Sequence, residues 1–238
     1  MGDTPPMTFA TVSRLAMAAL LVGCSGAAEQ TSGARLPEVD PVSSPEWARD
    51  MALFAGEDVG EPPPARPVVF TGSSSIRMWS TLAEDFPDLP VLNRGFGGSQ
   101  LRDAFWYADE VVIRYRPRMV VLYAGDNDLN AGRTPEQVLA DFRAFVRRVR
   151  RDLPEVPIVY ISIKPSPSRA HLMPLMRAAN ELVRAEAARS DGVEFVDVFT
   201  PMLGPDGRPR PDLFLEDRLH MNRSGYELWR AIIAPALR

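Results

Sequence analysis

Val68-Val69-Phe70-Thr71-Gly72-Ser73-Ser74-Ser75 decides the fold: four β-branched or aromatic residues run together, and a glycine and three serines follow at once. A short apolar run closed by turn residues fits a strand buried on both faces. The pattern returns downstream. β-rich runs occupy 91–93, 119–123, 158–163 and 193–197, with helical periodicities between them at 79–85, 101–115, 135–152 and 174–190, and a last helix begins near Ser224. Thr134-Pro135-Glu136-Gln137 supplies an N-cap, a proline at the first helical position and a capping-box glutamine. This alternation predicts an α/β domain with a mainly parallel, five-stranded sheet covered on both faces. Such a sheet binds ligands outside the carboxyl ends of its strands, so the chemistry should lie there.

The first residues read differently. Arg14 precedes the apolar run 15–23, which ends at Cys24. A positive residue, a short apolar core and small residues at the cut describe a secretory signal peptide, and the run is too short for a permanent membrane span. Leu21-Val22-Gly23-Cys24 resembles the bacterial lipobox, which implies lipidation of Cys24 and an exported, lipid-anchored protein of the cell envelope. Met7 fits the start of that segment better than Met1. Residues 25–45, rich in Ser, Ala, Gly, Pro and Glu, read as a flexible tether. Trp47, Met51 and Phe54 recur at helical spacing and predict a short helix packed on the domain, which is expected to span 46–238.

Composition narrows the function. The 238 residues carry a formal net charge of -4 and no basic footprint for nucleic acid. The arginines at 143, 147, 148, 150 and 151 read as a solvated helix face. One cysteine excludes an internal disulfide and a thiolate metal site, and two histidines, His171 and His220, make a multi-histidine metal centre a poor fit.

Four segments then stand at or beside strand ends: Gly72-Ser73-Ser74-Ser75, Gly95-Phe96-Gly97-Gly98-Ser99, Gly125-Asp126-Asn127-Asp128 and Asp217-Arg218-Leu219-His220. Each alone has an ordinary reading as a turn, a cap or a packed imidazole. Together they supply a hydroxyl nucleophile, an imidazole base, a carboxylate close enough to fix its tautomer, and backbone or carboxamide donors for an oxyanion. Ile163-Lys164-Pro165-Ser166-Pro167 follows the fourth strand and is expected to line the crevice. Lys164 is a candidate substrate contact there, His171 a weaker one. Asp212 and Glu216 are rival carboxylates without the three-residue spacing to His220.

These segments resemble the blocks of the SGNH/GDSL hydrolases from Val68 to the C-terminus. Gly72-Ser73-Ser74 occupies the first block and selects Ser74 as nucleophile, with Ile76 and Trp79 in register. Asn93 and Gly98 match the second block, Gly125, Asn127 and Asp128 the third, and Asp217 with His220 the fifth. The resemblance implies a flavodoxin-like α/β/α sandwich, catalytic Ser74, Asp217 and His220, and an oxyanion hole of the Ser74 and Gly98 amides with the Asn127 side chain. It implies no cofactor and no metal. Ser73 departs from the pattern by standing where the family has Asp. The substrate is expected to be a small ester or an acylated saccharide, cleaved through an acyl-enzyme. Acyl transfer to a sugar uses the same groups, and a surface binding module with an inactive site is the non-enzymatic alternative. The chain lacks Gly-x-Ser-x-Gly, which argues against the separate α/β-hydrolase fold.

Overall fold

The computed structural model describes residues 1–3 and 38–238. Cys24, the apolar run before it and most of the expected tether lie outside the described residues.

Five strands form one sheet: β1 (Val68–Gly72), β2 (Val91–Gly95), β3 (Met119–Tyr123), β4 (Ile158–Ile161) and β5 (Val193–Val196). Every pairing is parallel and the order is β2-β1-β3-β4-β5. The fold is thus the flavodoxin-like three-layer sandwich implied by the sequence. β1 and β3 are buried at every position, so both faces of the sheet must be covered.

Alternate side chains feed two separate cores. Val69, Val120, Leu122, Ile158 and Tyr160 point to one face. They meet α1 (Trp47–Gly60), α4 (Leu101–Trp106), α5 (Ala108–Val111), α7 (Pro135–Asp152) and α8 (Met173–Ala187) through Met51, Ala104, Val111, Phe142 and Met176. Val68, Phe70, Val121, Tyr123 and Val159 point to the other face. They pack on α2 (Ser74–Arg77), α3 (Leu82–Asp85) and α9 (Arg223–Ile233) through Ile76, Leu82 and Trp229. Trp79 and Trp229 are almost fully buried there, their rings 6.1 Å apart and edge to face.

α7 begins as expected: Thr134 accepts from the Gln137 amide and Gln137 closes the capping box. Two expectations differ. The helix read across 101–115 is broken into α4, α5 and a 3₁₀ turn over Ile113–Tyr115. The arginines of α7 are a solvated face only in part: Arg147 and Arg151 are exposed, but three others turn inward. Arg148 is buried and paired with Asp109 and Asp152, Arg143 holds Glu186 at 2.6 Å, and Arg150 donates to the carbonyls of Pro154, Val156, Asp191 and Gly192. Acceptors on the loops that lead into β4 and β5 and on α5 and α8 draw these guanidinium groups inward.

Candidate active site

β1 ends at Gly72, whose φ is 118°. A Cβ there would lie 1.8 Å from the Tyr123 carbonyl oxygen on β3, so only glycine permits the close approach. The chain turns at this point and Ser74 becomes the first residue of α2. Ser73 supports the turn with backbone alone: its amide donates to the Tyr123 carbonyl at 2.9 Å and its carbonyl accepts from Ile76 and Arg77. The buried Ser73 hydroxyl makes no hydrogen bond to the protein. Two outside groups steady α2. Asn93 Nδ2 donates to the Ile76 carbonyl at 2.7 Å, and the Tyr226 hydroxyl donates to the Ser75 carbonyl at 3.1 Å.

His220 approaches from the loop before α9. Its Nε2 lies 3.0 Å from Ser74 Oγ and its Nδ1 lies 2.6 Å from Asp217 Oδ2. The turn between acid and imidazole is tight because Arg218 adopts φ 58°, and Asp217 Oδ1 accepts both the Leu219 and His220 amides at 2.9 Å. Burial acts to raise the Asp217 pKa, but those two amides and the imidazole outweigh it and bring it down to about 2. The group is therefore a carboxylate at any working pH, an acceptor that assigns the proton to Nδ1 and leaves Nε2 free to accept from the serine. The rivals are not in this arrangement: the Asp212 carboxylate pairs with Arg210 at 2.7 Å, and Glu216 is exposed.

Two of the oxyanion candidates stand on linked segments. Gly98 has φ 91°, and a Cβ there would come 3.2 Å from the Trp47 ring, which lies over this loop from the start of α1. Asn127 belongs to α6 (Asp126–Asn130), a short helix where the sequence suggested only a turn. Asn127 Nδ2 donates to the Ser99 carbonyl at 3.0 Å, which sets the carboxamide beside Gly98.

The segment after β4 departs from expectation. Lys164 does not face the crevice. It is 1% exposed: its ammonium lies 6.0 Å from the centre of the Tyr123 ring and 5.8 Å from that of Phe214, and donates to the Leu219 carbonyl at 3.0 Å, next to His220. Burial pulls the Lys164 pKa down, against the upward pull of Asp126. His171 is exposed on the 3₁₀ turn over Pro167–Leu172. Arg169, which no motif singled out, is the residue of this segment that reaches an oxyanion candidate: it donates to Asp126 at 2.9 Å and to Asn127 Oδ1 at 3.0 Å. Its only sequence signal is its position on the loop of a strand end.

Asp128 performs a different task. Its Oδ1 accepts the Leu101 amide at 3.0 Å and so ties α6 to the start of α4, just after Gly98. The residue is fully buried and its second oxygen has no partner. Burial first, then the charges of Asp141 and Asp126, push its pKa from 3.8 up to about 7, against the opposing amide of Leu101. The folded chain then keeps a proton that the unfolded chain releases between those values. This contribution is favourable at low pH and is lost as pH rises from about 4 to about 7, at most about 1.4 kcal/mol per pH unit. Asp128→Asn should therefore gain stability relative to wild type as pH rises through that window. Urea midpoints at pH 4.5, 6 and 7.5 check it, and a constant difference between the two proteins would contradict the expectation.

A groove of about 440 Å³ beside β2 is lined by Phe54, Arg77, Trp79 and Asn93 but by no member of the Ser74–His220–Asp217 group, which lies at an open rim with Asp217 47% and His220 22% exposed.

Comparison with known proteins adds a family and a fold. The family model of GDSL-like lipases/acylhydrolases matches residues 55–228. Platelet-activating factor acetylhydrolase IB subunit alpha1 of Rattus norvegicus is 29% identical over 213 residues, covering 85% of this chain and 87% of the rat protein. A Streptococcus pneumonia protein superposes with a TM-score of 0.72 at 20% identity, over 81% of this chain and 93% of its own. A carbohydrate esterase family 3 structure from Talaromyces cellulolyticus gives 0.56 at 19% identity, over 71% and 95%.

Proposed function

Since the chain belongs to the GDSL-like lipase/acylhydrolase family, we propose that it hydrolyses carboxylic esters of short acyl groups, with Ser74 as nucleophile, His220 as base and Asp217 as its orienting carboxylate. The observation that carries this reading is the continuous hydrogen-bonded line from Asp217 Oδ2 through both imidazole nitrogens to Ser74 Oγ, at 2.6 and 3.0 Å. Ser74 Oγ attacks the ester carbonyl carbon while Nε2 takes its proton. The carbonyl oxygen becomes an oxyanion facing the Ser74 and Gly98 amides and Asn127 Nδ2. Collapse of the tetrahedral intermediate breaks the ester C–O bond, and the imidazolium returns its proton to the departing alkoxide. Water, deprotonated by the same nitrogen, then attacks the acyl-serine and releases the acid.

The acyl group is inferred from the rim. The rim position of the half-exposed Asp217 offers little depth in which to bury a long chain. The name of the rat acetylhydrolase agrees with acetyl, and that of the fungal carbohydrate esterase with a saccharide ester. A p-nitrophenyl ester series beside acetylated sugars tests this. Acetate should be the best of the series, with kcat/KM falling by about tenfold or more by hexanoate, as for a methylene without a pocket. A rate that climbs with chain length would exclude the short-acyl reading.

A further inference from the structure

We propose that Arg169 is a positioning residue for the oxyanion hole, holding the Asn127 carboxamide with its NH₂ turned toward the reacting centre; this rests on the hydrolase reading above. The two ends of a carboxamide are nearly equal in shape, and neighbours decide which one points where. Arg169 can only donate. Its Nη2 takes the Oδ1 end of Asn127 at 3.0 Å, which leaves Nδ2 on the side of Ser99 and Gly98. A flipped amide would set NH₂ against guanidinium and an acceptor oxygen against the developing oxyanion. The cation also draws electron density toward Oδ1 and makes Nδ2–H a better donor.

Arg169 is itself fixed. Its side chain is 12% exposed, and Nη1 donates to Oδ2 of buried Asp126 at 2.9 Å. Lys164 Nζ stands 3.8 Å from the same oxygen, and the loop that carries Arg169 is pinned to the histidine turn by the Ser168 amide, which donates to the Arg218 carbonyl at 3.0 Å. The segment from Lys164 to Arg169 thus spans the two halves of the site: Lys164 and Ser168 hold the backbone next to His220, and Arg169 holds Asn127. Lysine in place of Arg169 could keep the charge but not the fork that grips two residues at once.

The test is a double-mutant cycle on p-nitrophenyl acetate with Arg169→Met, Arg169→Lys, Asn127→Ala and Arg169→Met/Asn127→Ala, each checked for folding by circular dichroism and thermal melting. Arg169→Met should lower kcat about tenfold with little change in KM, the loss of one charge-assisted orienting bond. Arg169→Lys should recover part of it. On the Asn127→Ala background the same change should cost less than about twofold, the scatter of independent sites. A full tenfold loss on that background, or an effect confined to KM, would overturn the proposal, since Arg169 would then act on substrate or on the fold at large. If Arg169→Met does not fold, the cycle is run with Arg169→Lys, whose loss must likewise vanish on the Asn127→Ala background. Absence of Ser74-dependent hydrolysis in the unmodified protein would instead defeat the hydrolase reading, so the two failures are distinct.

Discussion

Ser74→Ala is expected to lower kcat by on the order of 10⁶-fold, the cost of losing the nucleophile of a serine triad, while residual catalysis of ~10³–10⁴-fold over water persists from binding and the oxyanion donors. The neighbours are the internal controls. Ser73 and Ser75 flank the same turn, but both are buried, and only Ser74 Oγ lies against the imidazole, at 3.0 Å. Ser73→Ala removes a hydroxyl that makes no hydrogen bond to the protein, so it should leave turnover largely intact. Ser75 contributes its carbonyl to Tyr226 and should likewise tolerate alanine. A fluorophosphonate probe should label wild type and both neighbour variants, and leave Ser74→Ala unlabelled. Loss of labelling with Ser75→Ala instead would move the nucleophile by one residue.

Asn127→Ala should cost about 10²–10³ in kcat, or about 2.7–4 kcal/mol, and leave KM nearly constant. A donor aimed at the oxyanion is stronger in the transition state than in the ground state, so its removal spares substrate binding. A purely structural Asn127 would behave otherwise. Its bonds to the Ser99 carbonyl and Arg169 would then be worth about 0.5–1.5 kcal/mol each, read as a lower melting temperature with normal turnover of the folded enzyme. Asn127→Asp should be at least as harmful to kcat as alanine, because an acceptor-only carboxylate would face the developing negative charge. Near-normal kcat in folded Asn127→Ala rejects the oxyanion role.

How much of this was legible in the sequence varies with the physical signal behind each residue. The strands were readable because burial on both faces forces unbroken apolar runs, as at Met119–Tyr123, where the expected and observed bounds agree. α7 was readable from Thr134 and Gln137, whose side chains report a helix start wherever they stand. The break after Trp106 was not, since Phe105, Ala108 and Val111 remain buried on the same face and keep the apolar period across it. α6 was hidden by its composition: Gly-Asp-Asn-Asp is turn chemistry, and a glycine at φ 121° starts the helix in place of a side-chain cap. Lys164 was misplaced because a strand end predicts where a backbone points, and a long side chain can carry its charge elsewhere. Arg169 has no fixed spacing to Asn127, from which it lies 42 residues away, and only the folded chain brings them together.

The hydrogen bond between Ser74 and His220 joins groups 146 residues apart, and that separation has a consequence for biosynthesis. A chain is made from its N-terminus at about 5–20 residues per second, so the serine turn and all five strands exist before the histidine is added. Through that interval, on the proposed function, the nascent domain holds a hydroxyl without its base and lacks the activated nucleophile. The histidine turn is followed directly by α9, whose docking sets Trp229 against Trp79 and the Tyr226 hydroxyl on the Ser75 carbonyl. On the proposed function, catalysis is thereby timed to the completion of the domain: a product stalled or cleaved ahead of residue 220 lacks the base that would activate Ser74.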